Sequence, residues 1–186
     1  SPATKPEARG YHALAYDETR GVIVLFGGEN GGALGDTWEW DGVDWQQANP
    51  SSRPSARYCH EMAYDNSRGV VVLSGGVSSS GSYLGDIWEW NGTRWQRGQA
   101  DTPIARAHQG MAYDSARARM LLFGGTTASG KSDETWYLPS KSATNSVFSN
   151  TGLVQLEGLD HCIVDSFNYL LSYILLDEFD TADADW

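Results

Sequence analysis

Lysine stands at only three of the 186 positions, Lys5, Lys131 and Lys141, and cysteine at two, Cys59 and Cys162. Lysine and arginine together number 13 against 24 acidic residues, a formal net charge of −11. Nucleic-acid binding draws its affinity from clustered cations on the phosphate backbone, so this balance excludes a nucleic-acid partner. Two thiols so far apart leave pairing, free thiols and metal ligation open, and they imply no redox compartment. The longest strongly apolar stretch, Tyr169 to Leu176 with Ser172 inside it, is far shorter than the roughly 20 residues of a spanning helix, so no membrane segment is expected. The first residues, Ser-Pro-Ala-Thr-Lys-Pro, lack both a hydrophobic run and an initiator Met, which reads as a processed or trimmed start and gives no localisation. Phosphate-binding glycine loops, nucleophile elbows and His-Glu-x-x-His patterns are missing too, so no local motif declares an enzyme.

What is present points to β structure. The length suffices for one domain with a real core. Eight tryptophans and 21 glycines suit short strands, tight turns and large aromatic plugs. The charge is uneven: from Ser142 to Trp186 there is no Lys or Arg, and eight carboxylates give −8, so residues 1–141 carry −11 − (−8) = −3.

The chain overlays on itself at 48 and then 49 residues. Ala15-Tyr16-Asp17 recurs as Ala63-Tyr64-Asp65 and Ala112-Tyr113-Asp114, and Gly27-Gly28 as Gly75-Gly76 and Gly124-Gly125. Arg9, Arg57 and Arg106 open the units, and Arg20, Arg68 and Arg117 each stand three places after the Asp. Within a unit, His12 to Tyr16 alternates as a strand, Glu18 to Gly21 is a polar turn, and Val22 to Phe26 is a buried second strand. The double glycine stops that strand, and a loop of variable length leads to a third, Asp36 to Trp40. Asp41-Gly42 then turns into a short fourth strand at Trp45. Each unit is a four-stranded antiparallel meander.

A hydrophobic strand ending in Gly-Gly, then an aromatic, six residues and a Trp, resembles the kelch repeat; Trp38 with Trp45 and Trp88 with Trp95 keep the spacing. The resemblance implies an all-β partial propeller of three blades over residues 1–140, at about 6–50, 54–101 and 103–140. The third unit departs after Trp136, with Leu138 in place of an aromatic and Ala143 where Trp45 and Trp95 stand. Residues 141–186 form a linker, a helix expected over Asp160 to Phe179 from apolar residues at three and four residue steps, and an acidic tail. That tail lacks the ordered spacing of a calcium loop and reads as solvated.

Propellers close with about 4 to 8 blades, and three leave two apolar blade faces open. A homodimer of six blades is the expected relief, with twofold symmetry making both new contacts equivalent. The resemblance implies a binding or scaffold module, with a protein or small-molecule ligand at loop ends such as Ser78 to Gly81 and Thr126 to Gly130. The alternative is a divalent-metal-dependent hydrolase of ester or phosphoester bonds, in which His12, His60 and His108 place imidazoles near the assembled axis to hold Zn²⁺ or a similar ion. Against it, repeated His more often hydrogen-bonds between blades, and strand parity makes Gln109, not His108, the counterpart of His60. Arg9, Arg57 and Arg106 would line an anion-binding mouth or pair with Asp36, Asp86 and Glu134. The tryptophans would form a sugar platform or, more often, pack between blades.

Overall fold

The computed structural model describes residues 2–98 and 103–139. In the first repeat β1 (Ala13–Asp17), β2 (Val22–Glu29), β3 (Ala33–Trp40) and β4 (Trp45–Ala48) make one antiparallel sheet in chain order. The register runs Asp17↔Val22, Leu25↔Trp38 and Trp40↔Trp45, so one short turn joins each pair. The first turn is set by Asp17, buried, whose carboxylate accepts from the Arg20 backbone N–H and from its Nε, while Gly21 adopts φ 68° to let the chain reverse.

The second repeat follows the same plan. β5 (Arg57–Tyr58) precedes β6 (Glu61–Asp65), β7 (Val70–Ser74), β8 (Val77–Ser78), β9 (Ile87–Trp90) and β10 (Trp95–Arg97), of which β6, β7, β9 and β10 form the blade. In the third, β11 (Arg106–Ala107), β14 (Thr126–Thr127) and β15 (Gly130–Lys131) make a small sheet beside the blade strands β12 (Gly110–Asp114), β13 (Arg119–Phe123) and β16 (Thr135–Pro139). The described part of this blade therefore has three strands. Its expected fourth strand would start past Pro139 and, like the expected helix and acidic tail, lies outside the described residues.

One expectation needs correction. In the first repeat the double glycine does not end the strand: β2 continues through it with a bulge between Phe26 and Gly28, whereas in the second and third the blade strand ends just before it, at Ser74 and Phe123; in all three the residues beyond it pair back with the segment preceding the first blade strand. Glu29 bridges Gly10, β8 pairs with β5, and β14 with β11. Each blade thus carries a second, smaller ribbon at one end.

The core lies between blades. Ala13, Ala15, Val24 and Phe26 of the first blade pack on Met62, Val71, Leu73, Trp90 and Trp95 of the second. Val72 and Ile87 of the second pack on Met120 and Leu138 of the third. The second strand of the middle blade is apolar on both faces because each face meets a neighbouring blade, which explains the unbroken run Val70-Val71-Val72-Leu73. The first strands of successive blades lie side by side: the Cys59 N–H donates to the Tyr11 carbonyl at 2.9 Å, and the His108 N–H to the Cys59 carbonyl at 3.0 Å. Tyr11, Cys59 and His108 all take positive φ, 54° to 58°, so the same kink recurs at the same place in every repeat.

Candidate functional site

The strongest polar constellation recurs once per blade, where the residue opening the unit meets the double glycine and the start of the third strand. Arg57 is wholly buried and forks onto Asp86 at 2.7 and 2.9 Å, while the same guanidinium donates to the Gly75 carbonyl at 3.0 Å and to Ser55. Arg9 repeats this on Asp36 and the Gly27 carbonyl, while Arg106 makes a single bond to Glu134 and one to the Gly124 carbonyl. Each acid also accepts from an indole two residues on, Trp38, Trp88 or Trp136. Burial pushes Asp36 and Asp86 upward, but the guanidinium and indole hydrogen bonds outweigh it and hold both carboxyls below their usual range.

A second constellation lies between blades. The imidazole of His60 sits on the double glycine of the blade before it: a Cβ at Gly27 would lie 2.5 Å from the Arg57 carbonyl oxygen and 3.2 Å from His60 Cε1. Phe26 closes the seat, edge-on to His60 at 5.6 Å and to Trp95 at 5.3 Å between centroids. Burial, then the nearby Arg57 charge, lowers the His60 pKa to about 3. The Phe26 backbone opposes that shift weakly, being near the ring without the geometry of a hydrogen bond, and both ring nitrogens lack a partner among the described residues. One blade further, Gln109 takes the same seat over Gly75 and donates its amide to the Ser74 carbonyl at 2.8 Å.

Three bonds between side chains cross from the first blade to the second. Trp95 Nε1 donates to Thr37 Oγ1 at 2.9 Å, Trp90 Nε1 to Glu39 Oε1 at 2.8 Å, and the Tyr64 hydroxyl to Thr19 Oγ1 at 2.6 Å. Glu39 also receives Arg20 at 2.7 Å, so Arg20 reaches beyond its own turn into the seam, a role that reading it as turn geometry alone missed.

A family model, the KLHDC2/KLHL20/DRC7 Kelch-repeats domain, matches residues 1–170. The chain belongs to the kelch-repeat family. Among solved structures it is similar to that of YjhT, a kelch-type propeller, at 19% identity and a TM-score of 0.58. The match covers 73% of this chain and 43% of that one, so the chain spans under half the length of the structure it matches. No curated protein matches it.

The kelch blades place the expected site residues unequally. Arg9, Arg57 and Arg106, expected at an anion-binding mouth or in acid pairs, are in acid pairs: their guanidiniums are at most 3% exposed and already hold carboxylate and carbonyl oxygens, which leaves an anion no open approach. Of the three histidines, His60 is enclosed between kelch blades, His12 occupies the same position at the exposed start of β1, and His108 sits exposed on the kinked position that Tyr11 and Cys59 hold. Among the described residues no group of three His, Cys, Asp or Glu side chains is placed to share a metal ion, so nothing there supports a zinc centre or the hydrolase built on it. The Ser78 loop is tied by its own hydroxyls, Ser78 to Ser80 at 2.8 Å and Ser80 to Ser82 at 3.1 Å.

The outer kelch faces differ from the inner ones. On the first blade Leu14 and Tyr16 are exposed, and on the third Phe123 and Tyr137, whereas Phe26 and Met62, the counterparts of Phe123 and Leu14, are buried.

Proposed function

We propose that this chain is a kelch-type binding and scaffold module that completes its propeller by self-association, two copies supplying six blades, and that presents its loop ends to a protein or small-molecule partner. The observation that carries this reading is the pair of apolar blade faces at the two ends of the array. Four large apolar side chains, Leu14, Tyr16, Phe123 and Tyr137, about half exposed or more, stand on them in positions whose inner counterparts are buried or largely so. Contiguous apolar surface of this kind marks an association site in a soluble protein. A three-blade array matching 43% of a kelch structure's length is also in keeping with half a ring. The loops after the double glycines vary in length and sequence while the blades repeat, which is where a kelch scaffold would carry its recognition.

The test is light-scattering mass on the purified full chain. The 20.3 kDa chain is expected at 2 × 20.3 = 40.6 kDa at micromolar concentration. A mass of 20.3 kDa at every concentration up to hundreds of micromolar would overturn the self-association.

A further inference from the structure

The identities of the side chains at successive blade junctions go further than self-association and name which face meets which. At the first junction an oxygen on the earlier blade answers each indole on the later one: Thr37 faces Trp95, and Glu39 faces Trp90. At the second junction the earlier blade carries Ile87 where Thr37 stands, and the later blade carries Leu138 where Trp90 stands and Ala143 where Trp95 stands. Ile87 and Leu138 accordingly share one apolar cluster. The Thr37–Trp95 pair is thus lost on both sides at once, while Glu89 keeps the acid of the Glu39 position, paired to Arg68. On the outer face of the third blade the hydroxyl acceptor returns, Thr135 at the Thr37 position, and the Tyr137 hydroxyl stands at the Glu39 position, with no indole among the described residues to meet them. Outward on the first blade stand two indoles, Trp40 and Trp45, whose N–H groups donate to no described residue.

The remaining features match in the same sense. Phe123 is 53% exposed and lacks the His and Trp that enclose Phe26, while His12 and Trp45, their counterparts, lie on the first blade. Along the kinked positions, each later blade gives its N–H to the carbonyl of the blade before it, which among the described residues leaves the Tyr11 N–H as an unused donor and the His108 carbonyl as an unused acceptor. Among the described residues, these unfilled positions on one outer face have their complements on the other.

We infer that the outer face of the third blade receives the outer face of the first blade of a second copy, head to tail, twice per dimer. Trp45 would meet Thr135, Trp40 the Tyr137 hydroxyl, and His12 and Trp45 would enclose Phe123. This rests on the self-association proposed above and specifies it: the contact is heterologous and closes as a ring, rather than joining like face to like face.

The experiment is a mixing test on the full chain with Leu14→Lys on one face and Phe123→Asp on the other, both exposed positions whose replacement leaves the blades' inner packing untouched. In a head-to-tail ring each variant alone damages both junctions, and each is expected to run as a monomer where the unaltered chain is a dimer. An equimolar mixture is expected to recover dimers, because one junction is then unaltered and the other sets Lys against Asp. As a gentler check that does not depend on introduced charge, Trp45→Phe and Thr135→Val should each weaken the dimer several-fold, and together no more than the stronger of the two, as for partners in one bond. If the unaltered chain is monomeric, self-association itself fails and this junction with it. If the chain is dimeric but one single variant stays dimeric, or the mixture stays monomeric, self-association stands and the head-to-tail junction is overturned.

Discussion

Acidification from pH 7 to pH 5 should weaken the fold through His60 by an amount set by its burial. The ring sits on Gly27 with no hydrogen bond to either nitrogen, and burial beside Arg57 lowers its pKa to about 3. An unfolded chain takes up the imidazole proton near pH 6.5, whereas the folded chain does not until far lower. The depressed folded value means that the stability is complete above pH 6.5 and is lost progressively as the pH falls toward 3. Each pH unit below 6.5 is worth about 1.4 kcal/mol, so by pH 5 the loss is about 2 kcal/mol. The carboxyls held low by arginine, Asp36, Asp86, Asp114 and Glu134, add their own losses only below their ordinary range near pH 4, outside this window. His12, lowered by partial burial and Arg9, contributes a smaller loss of the same sign, while half-buried Glu61, pushed up by desolvation, acts in the opposite sense. Gln109 fills the equivalent seat in the next blade, so His60→Gln retains the shape, removes the proton and gains a donor toward the Phe26 carbonyl. Urea unfolding followed by tryptophan fluorescence at pH 7, 6 and 5 should show His60→Gln at least as stable as the unaltered chain at pH 7, and more stable by about 2 kcal/mol at pH 5. Parallel pH dependence in the two proteins would refute the argument.

Two further outcomes follow from the same seams. Gly75→Ala should lose about 2–5 kcal/mol, since a methyl there would lie 2.5 Å from the Arg106 carbonyl oxygen at a φ of 68°, whereas Gly21→Ala, at the same φ with nothing within 4 Å, should lose only about 1–2 kcal/mol; equal losses in urea titrations would remove the role of close approach. Arg57→Lys keeps the charge but not the fork onto Asp86 and the Gly75 carbonyl, and should lower stability by about 3 kcal/mol, against less than about 1 kcal/mol for Arg117→Lys at the exposed pair with Asp114, with thermal melts of both variants as the readout.

The blades were legible in the sequence because a propeller repeats its whole environment. Asp17, Asp65 and Asp114 recur since each turn needs the same cap, and the Arg partners Asp36, Asp86 and Glu134 recur in step with Arg9, Arg57 and Arg106. The small ribbons β5 with β8 and β11 with β14 were not, because strands of two residues have no periodicity and their partners lie about 20 residues away. The double glycine reads locally as a stop, since only the next blade's carbonyl, in another repeat, shows why a side chain is forbidden there. His12 and His60 share a register, which suggested paired ligands. What separates them is position in the array: His60 has a blade in front of it and His12 has none among the described residues. Parity did place Gln109 correctly, because one residue of offset moves a side chain to the other face.

The backbone bonds from Cys59 to Tyr11 and from His108 to Cys59 all point the same way along the array. Energetically the three repeats form a short one-dimensional lattice in which the second unit is coupled on both sides and the outer two on one side each. Opening fluctuations then start at the ends and reach the second repeat last, so amide protection is a property of a repeat's place in the row more than of its own sequence. Closing the row into a ring abolishes the ends. Every repeat becomes interior, and local breathing gives way to a single cooperative transition whose midpoint rises with protein concentration.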